Sequence, residues 1–512
     1  MQKTDTTKST RAFPPHEVVV WGLAALGILL RLRQYFFDRS LWLDEALVVL
    51  NIIHRTPREL LKPLDYHQGA PLGFLVLEKT AVSSLGSSEL VLRLIPILCG
   101  ILSVIVFTSV ARRFLAPAAI PLAVGLFAIS DPLIYYSSEA KQYSSDVAIT
   151  VLLYLCAGYL LEREMQVKRV VIISIIGAIA LWFSQPAAFI LPAVGLSWLL
   201  DSLHASRRRT LALLCIPALV WTGTFLASYL VSLRGLTHDG ALLEYWGGAF
   251  APFPPRHLAD LRWFIDSFFE IFSDPTGLTL TGIAAVAATL GAIELFSKQR
   301  ARFVLFLTPI ALTLAASVLH LYPFRGRLLL FLTPSFILLI SAGLESIHTR
   351  TRTTLPYLSA LLVGFLFMHP LLSAARHLVE PQTKEEIKPM IEYVRNHRTS
   401  GDVLYVYYSS VQPFQYYSER NLIDLTEEVI GIESREHWKS YKQDLERLRG
   451  RKRVWILFSH VYRAAGVDEE RLLLNYLDEM GNKLDSSRSA GASVYLYDLS
   501  NKSDQQKARG SG

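Results

Sequence analysis

Cysteine is scarce, with three in 512 residues. Cys99, Cys156 and Cys215 each sit inside an apolar run, which argues against a disulfide framework and leaves the redox compartment unread. Charge is scarce as well: Asp, Glu, Lys and Arg make up 19%, against about 25% in an ordinary soluble chain. With 51% hydrophobic residues and a mean hydropathy of +0.32, the chain is neither disordered, nor collagen-like, nor an ordinary soluble enzyme. No internal repeat is visible. The first apolar run, Val18 to Leu30, lacks a small-residue cleavage site and reads as a retained helix. What remains is a polytopic membrane protein with a sizeable aqueous part.

A bilayer core about 30 Å thick takes about 20 apolar residues as a helix. Apolar runs begin near Val18, Leu94, Leu115, Tyr143, Val170, Pro186, Thr210, Leu278, Phe303, Leu328 and Thr353, which gives about eleven spans. The stretch from Val170 to Leu200 carries no charge and as one helix would reach roughly 46 Å. Basic flanks resolve it. Lys168-Arg169 precede the stretch and Arg207-Arg208-Arg209 follow it, so the chain is expected to cross twice, turning at Ser184-Gln185-Pro186. The head (Lys3, Lys8, Arg11), Arg112-Arg113, Arg163 to Arg169, Arg207 to Arg209, Lys298 to Arg302 and Arg350 to Arg352 then all fall on one side. Their location matters more than the net charge of +7. It places the N-terminus in the cytoplasm and the C-terminus outside.

Four outer segments follow from that alternation: Phe37 to Leu92, Asp131 to Ser145, Arg234 to Asp274, and the turn at Pro323 to Arg327. From about Ser373 the pattern changes. Thr383 to His397 reads as an amphipathic helix, Val403 to Tyr408 and Val454 to Phe458 as strands, Glu469 to Met480 as a helix, and Ser493 to Tyr497 as a last strand. The expected organisation is a transmembrane domain over residues 1–375 with an outer first loop at 37–92, a soluble α/β domain at 376–500, and a polar tail at 501–512.

Chemistry-bearing residues gather on the outer segments. Asp44-Glu45 lies just past the first span, and Tyr66-His67-Gln68-Gly69-Ala70-Pro71 further along the same loop. Ionisable groups at a membrane edge are costly unless they serve a water-filled site. The alternative is a helix cap with an acid in the first turn. In the second segment, Glu139, Gln142 and Tyr143 would share a helix face, with Lys141 pointing elsewhere; an interfacial aromatic belt would explain the tyrosines but not the acid. In Tyr322-Pro323-Phe324-Arg325-Gly326-Arg327, two outer arginines run against the positive-inside bias. They suit a phosphate held bidentately or lipid headgroups. Arg31, Arg33 and Arg93, near outer span ends, point the same way. Acids, cations and aromatics at one membrane surface suit group transfer from a lipid phosphate, with a carboxylate as general base toward a water-soluble acceptor.

Leu41-Trp42-Leu43-Asp44-Glu45-Ala46 resembles the first-loop Asp-Glu motif of the GT-C glycosyltransferases. The resemblance is greatest to the family 39 type, which includes protein O-mannosyltransferases and lipid A aminoarabinose transferases. Glu139-Ala140-Lys141-Gln142-Tyr143 is similar to their Glu-Ala-Arg-Gln-Tyr, Leu92-Arg93-Leu94-Ile95-Pro96 to their Leu-Arg-Leu-Pro, and the segment from Tyr322 to Arg327 to Tyr-Pro-Phe-Gly-Gly-Arg. The likeness runs from Leu29 to Leu344. It implies a GT-C fold and a glycosyltransferase moving a hexosyl or pentosyl unit from a polyprenyl-phosphate donor. It also implies an outer, periplasmic active site in the cell envelope, with no metal and no cofactor. Carried over, the catalytic residues are Asp44, Glu45 and Glu139: Asp44 is the general base or holds the acceptor hydroxyl, and Glu45 orders the loop or the donor. Arg327, Lys141, Arg325 and Arg93 hold the donor phosphate, and Tyr143, His67, Tyr66 and Tyr322 contact substrate. Two departures stand out. His67-Gln68-Gly69-Ala70-Pro71 replaces the family's His-Pro-Pro, and Lys141 stands where Arg is common.

The expected partners are the polyprenyl-phosphate sugar, an acceptor glycan, lipid or protein, and membrane lipids, with no nucleic acid. The expected location is a bacterial inner membrane, the C-terminal domain outside. Other readings are a lipid-linked glycan polymerase or ligase, whose long outer loops would also carry arginines, and a lipid or sugar transporter. A transporter would place charge at the bilayer midplane.

Overall fold

The structure is a computed structural model, described for residues 15–161, 166–204, 212–420, 427–435, 437–464 and 466–500. The expected basic head, Arg163, Arg207 to Arg209 and the polar tail lie outside these residues.

The apolar runs form helices. In chain order they are α1 (Pro15–Phe36), α2 (Leu43–His54), α3 (Leu72–Leu85), α4 (Leu94–Phe114), α5 (Ile120–Ile129), α6 (Asp131–Tyr135), α7 (Tyr143–Leu161), α8 (Val167–Phe183), α9 (Ala187–His204), α10 (Cys215–Ser228), α11 (Leu258–Ser273), α12 (Thr281–Lys298), α13 (Arg300–Val318), α14 (Thr333–Thr351) and α15 (Leu358–Val379). Among the described residues eight helical stretches are long and apolar enough to cross a membrane. The pair Ile120–Ile129 and Asp131–Ser138, bent by 58°, makes a possible ninth. Eleven spans were expected. The other two fall on α8 and α9, which are separate helices broken at Ser184 to Pro186, where the turn was expected.

Packing within the bundle is closest where side chains are smallest. A Cβ on Gly343 of α14 would lie 1.8 Å from the Ala287 carbonyl oxygen, and one on Gly291 of α12 would lie 2.0 Å from that of Leu339. The two backbones therefore touch, a contact that small residues permit between helices in lipid. Two arginines expected at the lipid surface are instead tied to backbone. Arg31 is fully buried and donates to the carbonyls of Gly27, Phe127 and Ala128. Arg33 donates to Leu378 and Val379 at the end of α15.

The C-terminal part adds α16 (Ile387–His397), α17 (Val411–Glu419), α18 (Trp438–Glu446) and α19 (Glu469–Met480). Its strands are β1 (Val403–Val406), β2 (Glu428–Ile430), β3 (Val454–Ser459), β4 (Arg463–Ala464), β5 (Val467–Asp468), β6 (Asn482–Ser489) and β7 (Ala492–Asp498). Five of them form one sheet in the order β2-β1-β3-β7-β6, with β4 and β5 a separate ladder. Strands β2, β1 and β3 are parallel, whereas β7 and β6 run antiparallel. Side chains alternate across β1 as strand geometry requires. Val403 and Tyr405 pack with Leu445, Leu473 and Leu477 on one face. Leu404 and Val406 pack on the other with Ile391, Val394 and three residues of the first loop region, Leu41, Val49 and Leu50. The sheet domain therefore shares a hydrophobic core with α2. Polar contacts lock the same seam: Tyr417 Oη accepts from Leu41 N–H (2.9 Å), and Glu386 Oε2 accepts from Ser40 N and Oγ (3.1 and 3.0 Å).

Candidate active site

The site sits at the end of the bundle where α1 finishes and α4 and α7 begin. There α2 presents two adjacent acids. Neither caps the helix: Trp42 occupies the cap position without a side-chain bond, and Asp44 and Glu45 lie in the first turn. The Leu43 amide is capped from far along the chain, by Glu385 Oε2 at 3.2 Å.

Adjacent positions on a helix point in different directions, and here that separates two roles. Glu45 turns inward and is fully buried. Arg93 grips it with Nε and Nη2 at 2.9 and 2.8 Å, and the Ala140 amide donates to its Oε1 at 2.8 Å. Arg93 also donates to the Arg39 and Ser40 carbonyls. Burial alone would raise the Glu45 carboxyl, but Arg93 and Arg39 outweigh it and hold it low. Burial likewise works against the Arg93 charge, and the Glu45 carboxylate more than restores it. This pair fastens α2 to the start of α4 and to the segment at Ala140. Arg93, expected on the donor phosphate, has its guanidinium consumed by this clamp. Glu45, expected among the catalytic acids, is engaged on both oxygens by Arg93 and on Oε1 by the Ala140 amide.

Asp44 turns toward an opening and keeps 17% of its side chain exposed. Lys141 Nζ lies 3.3 Å from Oδ1, and Arg327 Nη2 lies 2.7 Å from Oδ2. The Arg327 contact is an ion pair without hydrogen-bond alignment, so Asp44 Oδ2 and Arg327 Nε retain unused bonding capacity. Burial alone would raise the Asp44 carboxyl; Lys141 and Arg327, helped by Lys384, outweigh it and hold it below the ordinary aspartate value. Burial lowers the Lys141 ammonium, and the Arg327 charge adds to that.

Lys141 reaches Asp44 because residues 139–142 do not continue a helix. Glu139 is extended (φ −108°, ψ 133°), and α7 starts only at Tyr143. The expected shared helix face of Glu139, Gln142 and Tyr143 is therefore absent, and Lys141, expected to point away, faces the acid. Gln68 holds the ammonium from the other side at 2.7 Å. Arg327 stands at the start of a 3-10 turn, Gly326–Leu332. Its guanidinium lies 5.4 Å from the Trp42 ring centre, 5.8 Å from Tyr143 and 5.9 Å from Trp246. Cation–aromatic contacts of this kind are worth about 0.5–1 kcal/mol each when exposed and more when desolvated.

Glu139 is buried, with Oε1 unpartnered and Oε2 3.4 Å from Lys384 Nζ. Lys384 belongs to the link into the sheet domain and was not expected in the site. Its only sequence signal was a place at the edge of an amphipathic segment. Trp42, Gln68 and Trp246 were likewise missed.

Other expected residues stand aside. Arg325 is half exposed and pairs with Glu270 at 3.3 Å. Tyr322 donates to the Leu328 carbonyl at 2.8 Å and packs on Phe189. His67 Nδ1 meets Asp239 at 2.7 Å on the exposed loop, and Tyr66 is exposed. Tyr66 and His67 are left-handed (φ 62° and 54°), a sharp bend that delivers Gln68 to Lys141. Among the described residues no three His, Cys, Asp or Glu side chains converge as a metal-holding group.

No protein-family model matches the chain, and no curated protein matches it. Solved structures do. The crystal structure of ArnT from Cupriavidus metallidurans bound to undecaprenyl phosphate superposes with a TM-score of 0.51 at 12% identity, covering 95% of this chain and 98% of that one. The archaeal oligosaccharyltransferase AglB from Archaeoglobus fulgidus, in complex with an inhibitory peptide and a dolichol-phosphate, gives 0.51 at 12% identity over 96% and 74%. The apo form of the Archaeoglobus fulgidus oligosaccharyltransferase gives 0.52 at 11% identity over 95% and 75%. At these identities the likeness is one of fold. The chain has the GT-C fold that its motifs resembled: a membrane helix bundle with a C-terminal sheet domain.

Proposed function

We propose that the chain is an integral-membrane glycosyltransferase that moves a sugar from a polyprenyl phosphate to an acceptor hydroxyl, with Asp44 as general base. One observation carries the reading: the Asp44 carboxylate bridges Lys141 and Arg327, so a proton acceptor and two phosphate-binding cations occupy one opening. The donor's prenyl tail stays among the apolar helices while its phosphate exchanges with Asp44 for the two cations. That exchange frees the carboxylate and, by removing its counter-charges, makes it a better base.

The acceptor oxygen then attacks the anomeric carbon. Its proton passes to Asp44, the carbon–oxygen bond to phosphate breaks, and that bond's electron pair stays on the lipid phosphate. Arg327 and Lys141 meet charge as it develops, which lowers the barrier rather than merely improving binding. One displacement inverts the anomeric centre. No acid is needed for the leaving group, because a cation-held phosphate leaves unprotonated. The charged side chains gather at one end of the bundle, whereas a transporter concentrates them at midplane. The outer face of a bacterial inner membrane fits this arrangement, and the acceptor is a glycan, a lipid or a protein hydroxyl.

Transfer of radiolabelled sugar from a panel of short-chain polyprenyl-phosphate sugars, in purified membranes, tests the reading. The unmodified protein is expected to consume a donor, and folded Asp44→Asn to bind that donor without turning it over. Equal activity in Asp44→Asn would remove Asp44 from the chemistry.

A further inference from the structure

The geometry points to Lys384, carried on the link into the sheet domain, as a third cation for the leaving phosphate. The inference rests on the transferase reading and adds what Lys141 and Arg327 leave undone.

Lys384 and Arg327 share one ring. Lys384 Nζ lies 3.8 Å from the Trp42 ring centre, and the Arg327 guanidinium 5.4 Å from it. Arg327 in turn shares Asp44 with Lys141. The three cations therefore form one chain of contacts around the opening, with Arg327 in the middle. Lys384 is also 4.6 Å from Tyr135 and 5.3 Å from Tyr136, so aromatic faces hold its ammonium in place without neutralising it. Its ion pair to Glu139 is long at 3.4 Å, and its side chain keeps 32% of its surface exposed. Lys388, four residues on, already fastens the two domains by bridging Asp38 and Glu89.

Charge balance says why a third cation is needed. Lys141, Arg327 and Lys384 face two carboxylates, Asp44 and Glu139, which leaves one net positive charge. Asp274 stands nearby; burial and the Glu270 charge raise its carboxyl above the ordinary aspartate value, and the ion pairs of the three cations run to Asp44 and Glu139 instead. A sugar phosphodiester donor carries one negative charge and matches that site. During transfer the acceptor's proton neutralises Asp44, so the site's net charge rises to two. Over the same step the carbon–oxygen bond breaks and the phosphate becomes a monoester with a charge of about −1.5 to −2 at neutral pH. The match is kept at both ends of the reaction. Without Lys384 the site is one positive charge short throughout, and most costly so when the leaving group separates.

Binding of farnesyl phosphate, farnesyl methyl phosphodiester and farnesol to the purified full-length protein tests this. The unmodified protein is expected to prefer the monoester. Lys384→Gln should weaken the monoester roughly ten- to a hundredfold, the scale of one charge-assisted contact, and the diester less. Lys384→Arg should restore most of the loss. A Lys384→Gln protein that is folded and binds the monoester as tightly as the unmodified one overturns the inference while leaving the transferase reading intact. Failure of the unmodified protein to distinguish either phosphate from farnesol overturns both. Should the Gln variant not fold, amine labelling of the unmodified protein read by peptide mass decides. Farnesyl phosphate shields Lys384 and farnesol does not; equal labelling under both overturns the inference.

Discussion

Arg327 Nη2 lies 2.7 Å from Asp44 Oδ2, so the chain's candidate base and its central phosphate cation are paired with each other. On the proposed reading, a carboxylate in that position would compete with the substrate's phosphate for the same guanidinium.

Asp44→Asn should therefore do two opposite things. Loss of a general base lowers turnover by about 10²–10⁴-fold. Release of Lys141 and Arg327 should tighten binding of farnesyl phosphate, by about tenfold for one ion contact removed. Titration of the ligand into the folded variant checks this, and weaker binding would show that Asp44 organises the cations rather than competing for them.

The pairing also fixes the direction of a pH effect. An ordinary aspartate titrates at about 3.9, and Asp44 is held below its ordinary value by the cations beside it. The protein with Asp44 in these pairs keeps the carboxylate ionised until pH falls through that lowered value. The acid limb of kcat/KM, which reports the free enzyme, should lie below about pH 3.9, with the contribution of these pairs to stability lost over the same range. Arg327→Gln and Lys141→Met should each move the limb upward. A pH–rate profile for the unmodified protein and the two variants measures it, and a limb that stays in place assigns it to another group.

Glu45 and Arg93 should behave as structure. Removing one member leaves the other charged and buried, a loss of about 3–5 kcal/mol. Glu45→Ala and Arg93→Leu should each lower the unfolding midpoint strongly in detergent, and combining them should cost less than the sum of the single losses. Additive losses would mean that the two carboxylate–guanidinium bonds are not one unit.

Glu78 on α3 is buried with both oxygens unpartnered, and burial raises its carboxyl well above the usual range. For an acid raised on folding, the native state binds more protons than the unfolded one, so stability falls as pH rises above about 4.3 toward the raised value. Glu78→Gln should abolish that decline and stabilise the protein at neutral pH. Thermal unfolding followed against pH checks it; identical curves for the two proteins would mean that Glu78 is ionised and solvated.

Composition and run length made the bundle legible, because lipid forces long apolar helices on a chain. The turn at Ser184 to Pro186 was visible because the basic flanks called for two crossings and Pro186 placed the break between them. Strands β1, β3 and β7 were legible as apolar runs, whereas β6 was not. Asn482 to Ser489 is a polar edge strand whose one-sided burial is supplied by β7 rather than by its own side chains. In the site, Asp44, Lys141 and Arg327 were named from their segments. Their pairing was not, since it depends on residues 139–142 leaving helical geometry. The pairing of Arg93 with Glu45 was hidden, because an arginine near a span end looks the same whether it awaits an anion or already holds one. Lys384 was hidden by distance along the chain.

Glu385 caps the helix that carries Asp44, and it lies beyond the last of the membrane helices. A ribosome making this protein therefore adds the residues that cap α2 and supply Lys384 only after every span. A copy terminated just past α15 would carry the whole bundle without the residues that finish the candidate site.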